Sequence, residues 1–125
     1  MTPFGARIRA LRTERGISQR EMAAALGVSA AYLSALEHGR RGAPGWGFVQ
    51  KVIGYFNVIW DDAEELQRLA AISNPRVMVD TSGLSDQATE LANLLAERIR
   101  EMKPEDVEAL LRQLRTIAGR RENPR

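Results

Sequence analysis

Residues 18–39 read SQREMAAALGVSAAYLSALEHG, and this stretch predicts two short helices joined by a tight turn. Ser18 is a typical N-cap residue, and Glu21 follows three residues later, as in a capping box. Gly27 is placed to end the first helix, because glycine readily adopts the positive φ of a helix C-terminus. Ser29 then caps the second helix. Two short helices separated by so short a turn cannot lie antiparallel, so we expect them to cross steeply.

Apolar residues recur at helical spacing in both of these helices. Met22, Ala23 and Leu26 form the inner face of the first helix. Leu33 and Leu36 form the inner face of the second. Two short helices that cross steeply over a shared apolar face form a helix-turn-helix unit.

The same stretch resembles the phage-repressor-like (Cro/C1, or XRE) family of helix-turn-helix transcriptional regulators. The resemblance covers roughly the first 70 residues and rests on residue types at fixed offsets: Arg12, Ser18, Gln19, Met22, Ala23, Leu26, Gly27, Val28, Ser29, Leu33, Leu36, Glu37 and Gly39. It implies an all-α fold whose first part is a five-helix, lambda-repressor-like DNA-binding domain. It also implies a sequence-specific regulator, a repressor rather than an activator, that binds a palindromic operator in double-stranded DNA as a homodimer, with helix 29–38 in the major groove.

Composition excludes several classes of protein. The 125 residues include no cysteine, which excludes disulfides and thiolate metal sites and is compatible with a reducing cytoplasm. The single histidine, His38, leaves little material for a metal site or for histidine-based catalysis, and it is interpreted as a helix-end residue. We therefore expect no enzymatic activity, no metal and no cofactor. The chain has no apolar run that would span a membrane and no signal-peptide core, so we expect a cytoplasmic, nucleoid-associated protein of a bacterium or phage.

Charge is unevenly divided along the chain. Residues 1–60 carry eight Lys and Arg against three acidic residues, a net charge of +5. Residues 61–125 carry ten against thirteen, a net charge of −3. A basic first half favours binding of a polyanion, and an acidic second half favours a solvated or protein-binding segment.

Beyond the helix-turn-helix unit, three further helices are predicted within residues 1–72. The first runs from about Pro3 to Arg15 with Thr2 as its cap, and the fourth from near Trp46 to Phe56. The fifth runs from Asp62 to Ile72, with acidic residues at its start.

Residues 73–84 predict a linker, and residues 85–119 predict an α-hairpin. Val77, Met78 and Val79 are β-prone and indicate one short strand, which needs a partner strand, such as the same segment of a second chain. The hairpin is too small to bury both of its apolar faces alone. Residues 120–125 are expected to form a disordered tail.

The apolar faces of the hairpin must pack either on the first five helices or on another chain. We expect them to form a homodimer through six residues at helical spacing: Leu84, Leu91, Leu95, Ile99, Leu110 and Leu114. The alternative is an antitoxin-type interaction module, in which the hairpin binds a different partner protein.

The family resemblance assigns base contacts to the first turns of the second helix of the unit. Carried over by position, the residues are Ser29, Ala30, Ala31, Tyr32, Ser34 and Ala35. Alanine reaches only a thymine methyl group, so direct readout is expected to depend on Tyr32 and the two serines, with a contribution from DNA shape. Tyr32 could instead be half-buried against the first helix of the unit.

The same resemblance assigns contacts to residues that flank this second helix of the unit, which we call the reading helix. Ser18 and Gln19, at the start of the preceding helix, are expected to meet a DNA phosphate. Arg40 and Arg41 are expected to contact phosphates or the minor groove. Arg12 and Glu37 are expected to form an ion pair that holds helix 1 on the reading helix.

Overall fold

Seven α-helices and one 3-10 helix make up the regular structure of residues 1–42 and 44–122, the part of the chain that this computed structural model describes. The chain divides into two units, Met1–Val77 and a second unit that begins at Met78. The all-α fold predicted from the sequence is confirmed.

The first unit contains five helices, as predicted: α1 (Pro3–Glu14), α2 (Gln19–Leu26), α3 (Ala30–Glu37), α4 (Trp46–Phe56) and α5 (Asp61–Ala71). Thr2 caps α1, where its Oγ1 accepts a hydrogen bond from Gly5 N at 3.0 Å. Helices α1 and α5 each end one residue earlier than the sequence predicts, a difference that is usual where helix ends fray.

All five helices contribute to one hydrophobic core in this unit. Its buried members are Phe4, Ile8, Leu11, Met22, Ala23, Leu26, Leu33, Leu36, Val49, Val52, Phe56, Leu66 and Ala70. The end of the unit is joined to its beginning by Ser73, which is 3% exposed. Its hydroxyl accepts a hydrogen bond from Phe4 N at 2.8 Å and donates one to the carbonyl of Leu69. This serine therefore satisfies a backbone donor in the first turn of α1, which no helical bond could reach.

Gly5 sets how closely α1 approaches the C-terminal end of α3. A Cβ atom at this position would collide with the carbonyl oxygen of Leu36 and would lie 3.0 Å from that of Glu37. Only glycine allows the two helix backbones to come this near, so Gly5 helps to fix the position of α3.

The second unit contains α6 (Asp86–Arg98), the 3-10 helix Ile99–Glu101 and α7 (Pro104–Glu122). Ser85 caps α6, with its Oγ 3.1 Å from Ala88 N. The sequence predicts one helix to about Met102, but the α-helix ends at Arg98 and a 3-10 turn follows. Lys103 stands before Pro104, and a residue before proline is disfavoured in helical conformation, so the chain leaves the helix ahead of this pair.

Two sequence-based expectations for the connecting segments differ from the structure. Residues 77–79 are irregular and exposed, and no strand forms in the described residues, since a strand needs a second segment to pair with. Helix α7 passes Gly119 and reaches Glu122, since a single glycine costs only about 1 kcal/mol and arginine, a good helix former, follows it. The remainder of the predicted tail, residues 123–125, lies outside the described residues.

Candidate nucleic-acid interface

Helices α2 and α3 are joined by a turn that only a few residues define. Gly27 adopts the left-handed conformation, with φ of 74°, and its N–H bonds the carbonyl of Ala24 at 3.3 Å. Val28 N bonds the carbonyl of Ala23 at 3.0 Å. Together these bonds satisfy the carbonyls that the end of α2 would otherwise leave without partners. The chain then enters α3 directly through Ser29.

Side-chain caps secure the N-termini of both helices. Ser18 Oγ accepts from Glu21 N, and Ser29 Oγ accepts from Tyr32 N, both at 3.0 Å. The serine hydroxyls at these two ends are therefore used within the protein, and the other first-turn amides remain for an external acceptor.

Helix α3 has one buried face and one accessible face. Leu33, Leu36 and Glu37 are buried. The accessible face consists of small side chains: Ala30 and Ala31 are exposed, and Ser34 and Ala35 are half-buried. No charged side chain lies on this face within α3, so the face offers few groups that could form hydrogen bonds.

Tyr32 does not stand freely on the reading helix. It is half-buried, and its ring meets the Phe48 ring of α4 edge-on, with centroids 5.6 Å apart. The partner helix is thus α4, whereas the sequence-based alternative placed Tyr32 against α2. The guanidinium carbon of Arg41 lies 5.5 Å from the centre of the Tyr32 ring. Arg41, Tyr32 and Phe48 form a stack that we call the Arg41 stack.

A buried carboxylate connects α1, α2 and α3. Glu37 is 1% exposed, and Arg12 Nε and Nη2 donate to its two oxygens at 2.9 and 3.0 Å. Gln19 Nε2 donates to Glu37 Oε1 at 3.1 Å, and Arg12 Nη1 donates to the carbonyl of Ile17 at 2.9 Å. The hydrogen bond to Glu37 is the main reason that the pKa of Arg12 is raised; burial opposes this effect, and the negative charge of Glu37 adds to it.

This network changes the interpretation of Gln19. The sequence assigns Gln19 a phosphate contact, but here one N–H of its amide is engaged by Glu37. Gln19 thereby orients the first turn of α2 relative to the end of α3. Its backbone N–H, at the start of α2, remains suited to an anion.

The loop after α3 carries the two predicted arginines, and both are exposed. Arg40 N bonds the carbonyl of Ala35 at 2.9 Å, which attaches the start of the loop to the last turn of α3. Arg40 and Arg41 thus stand beside the reading helix, where sequence reasoning placed them, but only Arg41 is held by an aromatic ring among the described residues.

His38 is the C-cap residue of α3, in agreement with its interpretation as a helix-end residue. It is exposed, and its Nδ1 lies 2.8 Å from the carbonyl oxygen of Ser34.

The six residues predicted to dimerise are all exposed, with fractions from 42% at Leu95 to 69% at Leu91. Four of them line one apolar groove between α6 and α7, together with three further residues: Leu95, Ile99, Leu110 and Leu114, with Met102, Val107 and Leu111. Leu84 and Leu91 do not line this groove. No hydrophobic side chain described in the second unit is buried.

Other kinds of site find no support in the described ranges. Residues 1–42 and 44–119 hold no group of three His, Asp or Glu side chains placed to bind a metal ion. Over the helices described, none combines the length and apolar character that crossing a membrane requires.

The comparisons with known proteins agree with this geometry. The sequence model of the family described as "Helix-turn-helix domain" matches residues 3–69. The chain is 48% identical over 44 residues to the HTH-type transcriptional repressor RghR of Bacillus subtilis (strain 168), a match covering 35% of this chain and 33% of that protein. It is 32% identical over 62 residues to the uncharacterized HTH-type transcriptional regulator RghRB of the same organism, covering 50% of this chain and 45% of that protein.

These matched segments span less than half the length of either curated relative. A solved structure of a SinR protein/SinI protein complex is similar with a TM-score of 0.41 and 25% identity, covering 79% of this chain and 99% of that chain. The two curated relatives are transcriptional regulators by name and not enzymes, in agreement with the expectation that this chain is not an enzyme.

Proposed function

Because the chain belongs to the helix-turn-helix domain family, we propose that it is a transcriptional regulator that binds double-stranded DNA by inserting α3 into the major groove. The observation that carries this proposal is the α2–turn–α3 unit itself. Ser29 and Gly27 define its two ends at the turn, and α3 presents an uncovered face beside Arg40 and Arg41.

The side chains on that face favour a close approach to DNA. Ala30, Ala31 and Ser34 are small, so they allow the α3 backbone to lie deep against the base edges, and alanine contacts thymine methyl groups. The capped start of α2, at Ser18 and Gln19, presents backbone amides and a helix dipole to a phosphate. The reading helix is thereby positioned mainly by contacts to the DNA backbone, with base contacts made by few side chains.

We propose repression as the sign of regulation. The support is the name of the relative RghR, a transcriptional repressor that is 48% identical over the matched 44 residues.

We further propose that two copies bind a palindromic operator, joined through their second units. The support is the exposed apolar groove between α6 and α7, whose side chains would remain in water in an isolated chain. A second copy offers the same apolar surface, and a two-fold axis would place two α3 helices on half-sites about one helical turn apart.

A partner protein is the second candidate for that groove. An antitoxin-type module would use the same apolar residues to bind a different chain, and it would leave the isolated protein monomeric. The mass of the purified protein in solution distinguishes the two candidates.

The experiment for DNA binding is a selection of bound fragments from a random duplex library, followed by affinity measurements on the enriched sequence. We expect a two-fold symmetric motif with half-site centres about 10 base pairs apart. Ala31→Glu places a carboxylate on the accessible face of α3 and should abolish enrichment through repulsion from phosphate. Ala10→Glu makes the same change at an exposed position of α1 and is the control.

Two results would contradict the proposal. One is a wild-type pool with no enriched sequence. The other is an equal loss of binding in the Ala31→Glu and Ala10→Glu variants, because a loss caused by charge alone would not locate the contact at α3.

A further inference from the structure

We propose that Arg41 reads a guanine at the N-terminal end of α3 and that Tyr32 is the residue that positions it. This inference rests on the proposed DNA binding and assigns a base-specific role within that surface. It reverses the roles expected from the sequence, in which Tyr32 contacts bases and Arg41 contacts phosphate or the minor groove.

Arg41 reaches a residue in the first turn of α3. Arg41 lies four residues beyond the end of α3, yet its guanidinium carbon is 5.5 Å from the ring centre of Tyr32, which belongs to the first turn of α3. This cation therefore lies against a side chain that belongs to the first turn of the helix. The first residues of a recognition helix are those that contact base edges in the major groove.

The packing of the Tyr32 ring suits it to position Arg41. Its ring is half-buried and packs edge-on against Phe48, with centroids 5.6 Å apart. A ring that packs against a phenylalanine is well suited to hold a guanidinium in one place, because the face of an aromatic ring attracts a cation. Restricting a long side chain before binding reduces the entropy lost when the contact forms.

The accessible face of α3 lacks a side chain that could read a base with paired hydrogen-bond donors. The accessible side chains of α3 are alanine and serine, and none of them presents paired donors. Arginine presents two N–H groups in a planar fork that matches the O6 and N7 acceptors of guanine. Arg40, the neighbouring arginine, is exposed without an aromatic ring to hold it among the described residues, which suits a mobile phosphate contact.

The test is the random duplex selection repeated at one salt concentration with matched variants. We expect the wild-type motif to contain a guanine in each half-site. Arg41→Ala and Arg41→Lys should each reduce the preference for guanine there by about 5- to 150-fold, because neither retains the fork. Arg40→Ala should weaken binding to all sequences alike and keep the guanine preference.

Two substitutions of Tyr32 separate positioning from direct contact. Tyr32→Phe keeps the ring and should retain the guanine preference, whereas Tyr32→Leu removes the ring and should lose it as Arg41→Ala does. Circular dichroism melting of each variant establishes that it is folded. If Tyr32→Leu does not fold, Tyr32→Met, which also removes the ring, takes its place. A folded variant that lacks the ring and keeps the guanine preference would reject the positioning role of Tyr32.

Several outcomes would overturn the inference while leaving DNA binding intact. A wild-type motif without a guanine in each half-site would remove the base that Arg41 is proposed to read. Loss of base preference in Tyr32→Phe would show that the hydroxyl itself reads DNA. An equal weakening on all sequences in Arg41→Ala would show a phosphate contact. Absence of any enriched motif for the wild type would instead reject the proposed function, so the two failures are distinguishable.

Discussion

Both carboxylate oxygens of the buried Glu37 accept hydrogen bonds from Arg12, at 2.9 Å from Nε and 3.0 Å from Nη2. Arg12 belongs to α1 and Glu37 ends α3, so this pair fixes the reading helix to the first helix of the domain. A buried ion pair adds little to the stability of the fold relative to apolar residues of the same shape. Removing one partner is costly, however, because the other charge is then buried and unpaired.

We therefore expect Arg12→Met to lower the free energy of unfolding by about 3 kcal/mol, because Glu37 loses its charged partner. Urea denaturation measures this difference. Arg9→Met is the matched control, since Arg9 is an exposed residue of the same helix and its replacement should change stability by less than about 0.5 kcal/mol. Similar values for the two variants would contradict the role assigned to the pair.

The charge that Arg12 contributes to this pair should not change with pH near neutrality. The pKa of Arg12 is raised in the folded protein, first by its hydrogen bond to Glu37. A base with a raised pKa contributes stability that is fully present below its unfolded-state pKa and is lost only as pH rises through the folded-state value. Since arginine in the unfolded chain stays protonated far above neutral pH, the charge of Arg12 is constant from about pH 6 to pH 9. Urea titrations at the two ends of this range should show that Arg12→Met costs no less stability at the upper end than at the lower end, and a smaller difference at the upper end would refute the assignment.

Substitutions at two glycines should have opposite signs. Gly5→Ala forces a Cβ atom against the carbonyls of Leu36 and Glu37 and should destabilise the protein by about 1–3 kcal/mol. Gly54→Ala in α4 meets no atom within 4 Å and should stabilise it by about 0.4–1 kcal/mol, because alanine loses less backbone entropy. Thermal melting of both variants gives the signs directly. Destabilisation by Gly54→Ala would contradict this prediction, because it would mean that the added methyl group meets a neighbouring atom.

The apolar groove of the second unit predicts the mass of the protein in solution. Light scattering after size exclusion should give roughly twice the chain mass of 13.9 kDa for the wild type. Leu110→Glu places a charge in the groove and should yield the monomer, because a buried, unpaired carboxylate is costly.

Gln113→Glu provides the control for this experiment. It adds the same charge to an exposed position of α7 that does not line the groove, so it should leave the dimer intact. A monomeric wild type would reject the homodimer and favour a partner protein.

Arg40 should contribute a phosphate contact that salt titration detects. Arg40→Ala should weaken binding to specific and random DNA alike, and it should reduce the slope of log K against log salt by about 0.9, the value for one neutralised phosphate. Arg112→Ala removes the same charge from the second unit and should leave the slope unchanged. An unaltered slope in Arg40→Ala would exclude the contact.

The sequence predicted the helices of the first unit, and the structure confirms them. Ser18, Ser29 and Gly27 act on backbone groups within four residues of themselves, so their effect is readable from local order alone. No strand forms at residues 77–79 of the single chain, since a strand depends on a second segment that local order does not specify.

Local order and the family resemblance thus led to the helix-turn-helix unit, its caps and the pairing of Arg12 with Glu37. Only the tertiary structure shows the hydrogen bond from Gln19 to Glu37 and the contacts of the Arg41 stack. Tyr32 lies 9 residues before Arg41 and 16 before Phe48 in the sequence, and their contact depends on where the tertiary fold places these three side chains. Helical periodicity reports which face of a helix is apolar, but it does not report which side chain of another element will meet that face.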